Sequence, residues 1–257
     1  MGLASWIAFL LLSAIFGLEQ MAPTVLVLGS FLVPVTVVIW NFDHLADATL
    51  SGQRVTFAFM GGGLLGIVLA LPVNRTMVPA VESVAGVWGM LAVGLSEEAA
   101  KLVGLVVLSI GIARYTTQNG VVVGSAVGVA FAALETAGYT TVALPEYGLW
   151  GSVLGVLVAR SLLAPIGHGL FTAIMGATLF HAASRCGHLR LTWGVVGVYL
   201  WVSLLHGLWN VAVSFPPWQI LGWAVVSLAG VMTLLAMWRA WVPKAKREVK
   251  PCRTRRT

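Results

Sequence analysis

The sequence predicts an all-α, polytopic membrane protein, and its composition and its pattern of apolar runs carry the prediction. Hydrophobic residues make up 59% of the 257 residues, whereas charged residues make up only 9%. Apolar runs of about 18 or more residues follow one another along the chain, and each is long enough to cross a hydrocarbon core about 30 Å thick. This repeated pattern is typical of a multi-pass helical membrane protein.

Eight segments are predicted to span the membrane, the first of them short and the fourth and sixth long. They are residues 3–18, 22–40, 55–73, 84–113, 119–142, 150–181, 192–215 and 218–241. The first is interpreted as a retained span, because it lacks the basic leading region and the cleavage site of a secretory signal. The predicted domains are a transmembrane catalytic domain over 1–242 and a basic, disordered tail over 243–257.

The basic residues predict the orientation, since cytoplasmic loops keep an excess of Lys and Arg. With the N-terminus inside, twelve basic residues fall on the cytoplasmic side and only Arg75 falls outside, while Lys101 and Arg160 lie within spans. Both termini are therefore predicted to be cytoplasmic. The basic tail is interpreted as a topology anchor that contacts anionic membrane lipid, so no nucleic-acid partner is expected.

Four of the predicted spans carry ionisable or metal-binding side chains away from their ends. A carboxylate at the centre of a spanning helix costs roughly 2.5 to 3.5 kcal/mol on insertion scales, so such groups indicate an active site or an ion path. The fourth to seventh spans contain Glu97, Glu98, Lys101, Glu135, Arg160, His168 and His206. Counted from the helix ends, these residues lie at similar depths in the membrane. We therefore predict that their side chains meet in one site.

The spacing in the fourth span separates the roles of its two glutamates. Lys101 lies four residues after Glu97 and three after Glu98, so it shares a face with both and can neutralise one of them. Successive helical positions differ by about 100°, so the two carboxylates point in different directions. We therefore expect the other glutamate to serve a different function.

Small residues mark one face of the fifth span. Gly120, Gly124 and Gly128 recur every four residues, and Phe131 and Glu135 continue the same face. Small residues at this spacing let helices approach closely, which predicts that the backbone of a neighbouring helix lies near Glu135.

Two imidazoles and several carboxylates arriving from four helices suit a catalytic divalent metal, and zinc is the expected ion. Zinc in hydrolases takes three N or O ligands and keeps one position for water. The predicted ligands are His168, His206 and Glu135, with Glu98 as a substitute ligand and Glu97 as the general base. Three carboxylates and two cations leave a charge of minus one, which either a dication with hydroxide or one protonated glutamate would balance.

The same residues resemble the motifs of a known family. Glu-Glu-x-x-Lys at 97–101, Phe-x-x-x-Glu at 131–135, the segment around His168 and His-x-x-x-Asn at 206–210 are similar, in this order, to the motifs of the PrsW intramembrane proteases. They look more distantly like the CAAX-processing and bacteriocin-immunity superfamily, in which a histidine usually stands at the place of Glu135.

The resemblance implies a metal-dependent endopeptidase embedded in a membrane, with the plasma membrane of a prokaryote as the expected location. Its expected substrate is a membrane-anchored protein, because some members of the family make the first cut in an anti-sigma factor. In the wider superfamily, glutamate and histidine side chains are also considered to activate water without a metal. Both mechanisms therefore stay open for this chain.

In the predicted mechanism, Glu97 takes a proton from a water, free or bound to metal, that attacks the scissile carbonyl. Asn210, one turn after His206, is predicted to stabilise the oxyanion or to orient the imidazole. An oxyanion donor contributes about 10² to 10³ in rate in other enzymes. Arg160 is interpreted as a counter-ion or a packing residue.

Two other classes of function fit part of the pattern. An ion-coupled transporter would also use buried carboxylates, and Pro165 in the long sixth span suggests the broken helix of such proteins, although no matching pair of interrupted helices is found. A catalytically silent scaffold that binds a partner helix is the second alternative. Other protease classes are excluded, because the chain has no His-Glu-x-x-His, no Gly-x-Ser-Gly and no aspartate in a predicted span.

Overall fold

The computed structural model describes residues 2–84, 86–213 and 215–242, and in these residues it contains ten α-helices and no strand. The first five helices are α1 Gly2–Ile15, α2 Ala22–Leu45, α3 Gly52–Phe57, α4 Gly63–Val84 and α5 Gly86–Ser109. The others are α6 Thr117–Gly151, α7 Val158–Leu163, α8 His168–Ser184, α9 Trp193–Val213 and α10 Gln219–Trp241. The all-α prediction is confirmed.

Short irregular helical turns connect some of these helices. π-helical turns at Ala58–Gly62 and Ser152–Leu157 join α3 to α4 and α6 to α7. A 3₁₀ turn at Ala164–Ile166 joins α7 to α8 and contains Pro165. Within α6, Gly148 has φ 67° and ψ −177°, which is not helical. Because this φ favours glycine, residue 148 marks the break between the predicted fifth and sixth spans.

Five stretches of the described chain are long and apolar enough to cross a membrane, so the protein is a multi-pass membrane protein. They are Ala22–Leu45, Gly52–Thr76, Thr117–Ser184, Trp193–Val213 and Pro216–Trp241. The third of these has 68 residues and contains two of the predicted spans. Helix α5 has 24 residues but carries Glu97, Glu98 and Lys101 together.

The count of eight spans and the cytoplasmic placement of both termini stay predictions. So does the division into a catalytic domain over 1–242 and a tail over 243–257, because the tail lies outside the described residues.

Helices α6 and α8 form the most deeply buried part of the molecule, and they touch backbone to backbone. A Cβ atom placed on Gly120, Gly124 or Gly128 would lie 2.3 Å from a carbonyl oxygen of α8, that of Gly176, Thr172 or His168 respectively. The pairing runs in opposite directions along the two helices, so they are antiparallel. The predicted close approach of a neighbouring backbone to the face formed by these glycines is confirmed. As a result His168, the first residue of α8, lies directly against α6.

A second close approach holds α5 against α9. A Cβ atom on Gly94 would lie 2.6 Å from the carbonyl oxygen of Ser203 and 2.7 Å from the amide nitrogen of Gly207. Gly94 precedes Glu97 by three residues, and Gly207 follows His206 directly. The absence of side chains at these positions therefore lets the two ionisable residues face each other across the helix pair.

Candidate active site

The seven ionisable residues of the predicted spans lie in one cluster, although they come from five helices. Helix α5 supplies Glu97, Glu98 and Lys101, and the other members are Glu135 on α6, Arg160 on α7, His168 on α8 and His206 on α9. Each of them lies within ion-pair or hydrogen-bond distance of another member.

Lys101 neutralises Glu98 in the buried part of the cluster. Its Nζ atom donates to Glu98 Oε1 at 2.5 Å, and both side chains are fully buried. The same carboxylate oxygen lies 2.8 Å from His206 Nδ1. The prediction that Lys101 neutralises one of the two adjacent glutamates is thus confirmed.

Arg160 neutralises Glu135 at the more exposed side of the cluster. Its Nη2 atom donates to Glu135 Oε2 at 2.6 Å, and its guanidinium carbon lies 4.2 Å from the centre of the Tyr139 ring. His168 Nε2 lies 3.2 Å from the same carboxylate oxygen. Of the two roles expected for Arg160, counter-ion or packing residue, this ion pair supports the first.

Glu97 differs from both other glutamates, because no Lys or Arg of the described chain forms an ion pair with it. Its Oε1 atom accepts a hydrogen bond from Asn74 Nδ2 at 2.7 Å. Its Oε2 atom is buried, has no hydrogen-bond partner among the described residues and lies 3.6 Å from His206 Nε2. A buried charge without a partner is costly, so this carboxylate requires a proton or a cation. Glu97 is therefore the glutamate whose charge, when it is ionised, no Lys or Arg of the described chain balances by an ion pair.

The hydrogen bonds also assign the tautomers of the two histidines. Glu98 Oε1 accepts from His206 Nδ1, so the lone pair of His206 lies on Nε2 and faces Glu97. A carboxylate behind a histidine in this way is the usual arrangement for a metal ligand.

His168 is engaged at both nitrogens. Lys101 Nζ, which as an ammonium group only donates, lies 2.8 Å from His168 Nδ1, so Nδ1 accepts and the proton of the ring lies on Nε2. That proton is directed at Glu135 Oε2. His168 must therefore release Lys101 or Glu135 before one of its nitrogens can bind a metal.

One group of residues in the described chain has donor atoms close enough for a metal ion. Glu97, His168 and His206 each offer one such atom, and these atoms lie within 4.8 Å of one another. Two nitrogens and one oxygen form a donor set that zinc hydrolases use, and the unpartnered Oε2 of Glu97 suits a cation directly. The residues present therefore fit a divalent metal.

Glu135 and Glu98, the predicted ligand and its substitute, are placed differently. The oxygen of Glu135 that reaches His168 is also bonded to Arg160, and Oε1 of Glu98 is bonded to Lys101. Oε2 of Glu98, like Oε2 of Glu97, is buried and has no hydrogen-bond partner among the described residues. Asn210 lies one turn after His206 and is half-buried, and its side chain makes no hydrogen bond with a described residue.

Asn74 and Ser96 are site residues that the sequence-based prediction missed. The predicted third span ended at residue 73, one position before Asn74, whereas α4 continues to Val84. A signal was present, because Gly66, Ala70 and Asn74 follow one another at four-residue spacing and so share one helical face. The first two of these pack at Phe131, next to the cluster.

Comparison with known proteins gives one match. A family model described as PrsW family intramembrane metalloprotease matches residues 51–238, which is more than half of the chain and includes every residue of the cluster. No curated protein and no solved structure matches the chain.

Proposed function

This chain belongs to the PrsW family of intramembrane metalloproteases, and on that premise we propose that it cleaves a membrane-anchored protein with a water activated at Glu97. Family membership makes it a hydrolase and favours the peptidase over the transporter and scaffold alternatives. The observation that supports the role of Glu97 is its charge, which no cation of the described chain neutralises, combined with an unpartnered oxygen directed toward His206.

In the proposed reaction, Glu97 Oε2 accepts a proton from the attacking water, whose oxygen forms a bond to the scissile carbonyl carbon. The carbon–nitrogen bond of the peptide then breaks, and the leaving amine takes the proton from Glu97. Asn210 is the proposed donor to the oxyanion, as its position one turn after His206 allows.

Glu98 serves as a positioning residue in this proposal. By accepting from His206 Nδ1, it keeps the lone pair of His206 on Nε2, on the side of Glu97. Lys101 balances its charge, so the carboxylate can remain ionised in a fully buried position.

His206 and His168 are the proposed nitrogen ligands of a divalent metal, with zinc favoured by the donor set. Bound there, the metal would supply Lewis acid chemistry to the water and to the scissile carbonyl. The third ligand has two candidates. Glu135 is the assignment from the sequence, and it leaves Glu97 Oε2 free to accept the proton. Glu97 belongs to the group whose donor atoms lie within 4.8 Å of one another, but as the ligand it could not accept the proton with the same oxygen.

Metal content measured by mass spectrometry tests this proposal on the detergent-purified full chain, together with cleavage of a membrane-anchored reporter protein. We expect near-stoichiometric zinc in the wild type, and its loss in folded His206→Ala and His168→Ala variants. Comparing Glu97→Gln with Glu135→Gln identifies the third ligand, since only the ligating glutamate should be needed for zinc. A Glu97→Gln variant that cleaves the reporter as fast as the wild type would overturn the proposal.

Absence of zinc from carefully prepared, active wild type would instead support direct activation of water by glutamate and histidine. In that case Glu97 keeps its role as the proton acceptor, and the two imidazoles serve as its hydrogen-bonding partners.

The substrate class, the cellular location and the membrane topology are also part of this proposal. Membership of the family supports a membrane-anchored substrate of the anti-sigma-factor type and a location in a prokaryotic plasma membrane. Eight spans with both termini cytoplasmic follow from the apolar runs and the distribution of Lys and Arg. Reporter fusions at the two termini test this topology, and a terminus found outside the cytoplasm would refute it.

A further inference from the structure

We propose that Asn74 is a positioning residue for Glu97, and that it determines which oxygen of the carboxylate faces His206. The inference rests on the proposed function of Glu97. Asn74 lies on α4 and Glu97 on α5, and the amide Nδ2 of Asn74 donates to Glu97 Oε1 at 2.7 Å. One oxygen of the carboxylate is therefore held by α4, which leaves the other directed into the cluster.

Ser96 fixes the orientation of this amide. Its hydroxyl group donates to Asn74 Oδ1 at 3.1 Å, and shares its hydrogen with the carbonyl oxygen of Val93 at 2.9 Å. With Oδ1 occupied by a donor, the amide presents its NH₂ group to Glu97. Asn74 thus contacts two consecutive residues of α5, and the pair of contacts restricts the rotation of the Glu97 side chain.

The chemical nature of residue 74 matters as much as its position. A Lys or Arg at this place would form an ion pair with Glu97, as Lys101 does with Glu98 and Arg160 with Glu135. A neutral amide holds the carboxylate but leaves its negative charge in place for a proton or a metal ion. Asn74 therefore has the property that a partner of a reactive carboxylate needs, which is to orient it without neutralising it.

Asn74 would also be found here if it only joined two helices, because Asn side chains often do so in membranes. The chain supplies a matched control for this alternative. Asn41 on α2 donates to Ser125 Oγ on α6 at 2.9 Å, and in the described chain neither side chain is hydrogen-bonded to a member of the cluster. Asn41→Leu removes an interhelical Asn–Ser contact without affecting a carboxylate.

The test compares Asn74→Leu, Asn74→Gln, Ser96→Ala and Asn41→Leu in the full chain purified in detergent. Two quantities are measured, namely the affinity for added Zn²⁺ by chelator competition and the cleavage of a fluorogenic peptide embedded in micelles, with kcat and KM separated. We expect Asn74→Leu to lower zinc affinity or kcat roughly 10- to 100-fold, as loss of a residue behind a metal ligand does elsewhere. KM should stay at its wild-type value.

Asn74→Gln keeps the hydrogen-bond donor, so its zinc affinity or kcat should fall less than that of Asn74→Leu. The fall in Ser96→Ala should also be smaller than in Asn74→Leu. Asn41→Leu should match the wild type in both measurements. If Asn74→Leu fails to fold by size-exclusion profile, Ser96→Ala and Asn74→Gln carry the test, and wild-type values in both of them would overturn the inference.

A double variant separates positioning from general stability. In a Glu97→Gln background, Asn74→Leu should cause no further loss of the quantity that Glu97 controls, because its effect acts through that carboxylate. Equal losses in the two backgrounds would overturn the inference and leave the proposed function standing. If Glu97→Gln itself changes neither zinc affinity nor cleavage, the proposed function fails, and the role of Asn74 fails with it.

Discussion

The cluster contains the same three kinds of side chain twice, and the two sets differ in their exposure. The buried trio consists of Glu98, Lys101 and His206, whose side chains are at most 3% exposed. The accessible trio consists of Glu135, Arg160 and His168, whose side chains are 17%, 33% and 14% exposed. Each trio combines a carboxylate, a cation and an imidazole.

The difference suggests a division of labour between the trios. In the buried trio no water can replace a lost partner, so its contacts fix one geometry for His206. Charged side chains within spans face the bundle interior or water rather than lipid, so we expect the exposed side of the accessible trio to face water. Its charges would be screened there, and Glu135 and Arg160 could separate at lower cost. Glu97 belongs to neither ion pair and lies beside the buried trio, so the buried trio supplies rigidity while the accessible trio can rearrange when a substrate or a metal arrives.

The largest expected effect comes from breaking the ion pair of the buried trio. Lys101→Met removes the cation with little change in side-chain length and leaves the Glu98 carboxylate buried without a cation. We expect the free energy of unfolding to fall by about 3 to 5 kcal/mol, the usual cost of an uncompensated buried charge. Thermal unfolding of the purified protein in detergent micelles measures it.

The Glu98→Gln/Lys101→Met double variant is the control, because it replaces the ion pair by neutral groups of similar shape. Most of the lost stability should return, since no buried charge remains. A double variant as unstable as Lys101→Met alone would mean that packing, and not charge, is what Lys101 contributes.

The next largest effect concerns the helix contact that positions the accessible trio. In Gly128→Ala, the new methyl group would lie 2.3 Å from the carbonyl oxygen of His168, so α8 must move away from α6. We expect a loss of about 1 to 3 kcal/mol in the free energy of unfolding, as overpacking usually gives. Zinc content and reporter cleavage should fall with it, because His168 is displaced.

Gly138→Ala on the same helix is the matched control. Apart from the adjoining residues and backbone of its own helix, no atom of the described chain lies within 4 Å of a Cβ placed at this position, so the substitution should leave zinc content and cleavage unchanged. Its effect on stability should be neutral or slightly favourable, since Ala is the better helix former by roughly 1 kcal/mol. Equal effects at residues 128 and 138 would show that the backbone contact with α8 is not what positions His168.

The contacts that were predictable from the sequence are those that depend on spacing within one helix. Lys101 and Glu98 are three residues apart on α5, and the glycines at 120, 124 and 128 form a face that only a close neighbour can cover. The convergence of ionisable groups was also predictable, because each is too costly in lipid to be left alone.

Contacts between helices that are distant in the sequence were not predictable in the same way. The hydrogen bond from Asn74 to Glu97 depends on which helix packs beside α5 and on how far α4 extends beyond residue 73. The net charge of the cluster could be counted, but which glutamate is left without an ion pair to Lys or Arg depends on which rotamers the glutamates adopt. The number of spans was also hard to predict from the sequence, because Thr117–Ser184 forms one long apolar stretch that contains more than one predicted span.

The smallest expected effect is on the ion pair of the accessible trio. Arg160→Gln removes a cation that is one-third exposed, and we expect water on that exposed side to solvate Glu135 after the change. We expect the free energy of unfolding to fall by only about 0.2 to 1 kcal/mol, the range measured for solvent-accessible ion pairs. The same thermal unfolding assay measures it, beside an Arg160→Lys control that keeps the charge.

If Arg160→Gln lowered the free energy of unfolding as much as Lys101→Met does, the proposed difference between the two trios would be refuted. Zinc affinity of the same variant sharpens the comparison further, because it reports on the third ligand. If Glu135 binds the metal, its carboxylate is released from the guanidinium and zinc affinity should rise. If Glu97 binds it, the affinity should stay close to the wild-type value, because Glu97 already lacks a cation to compete with.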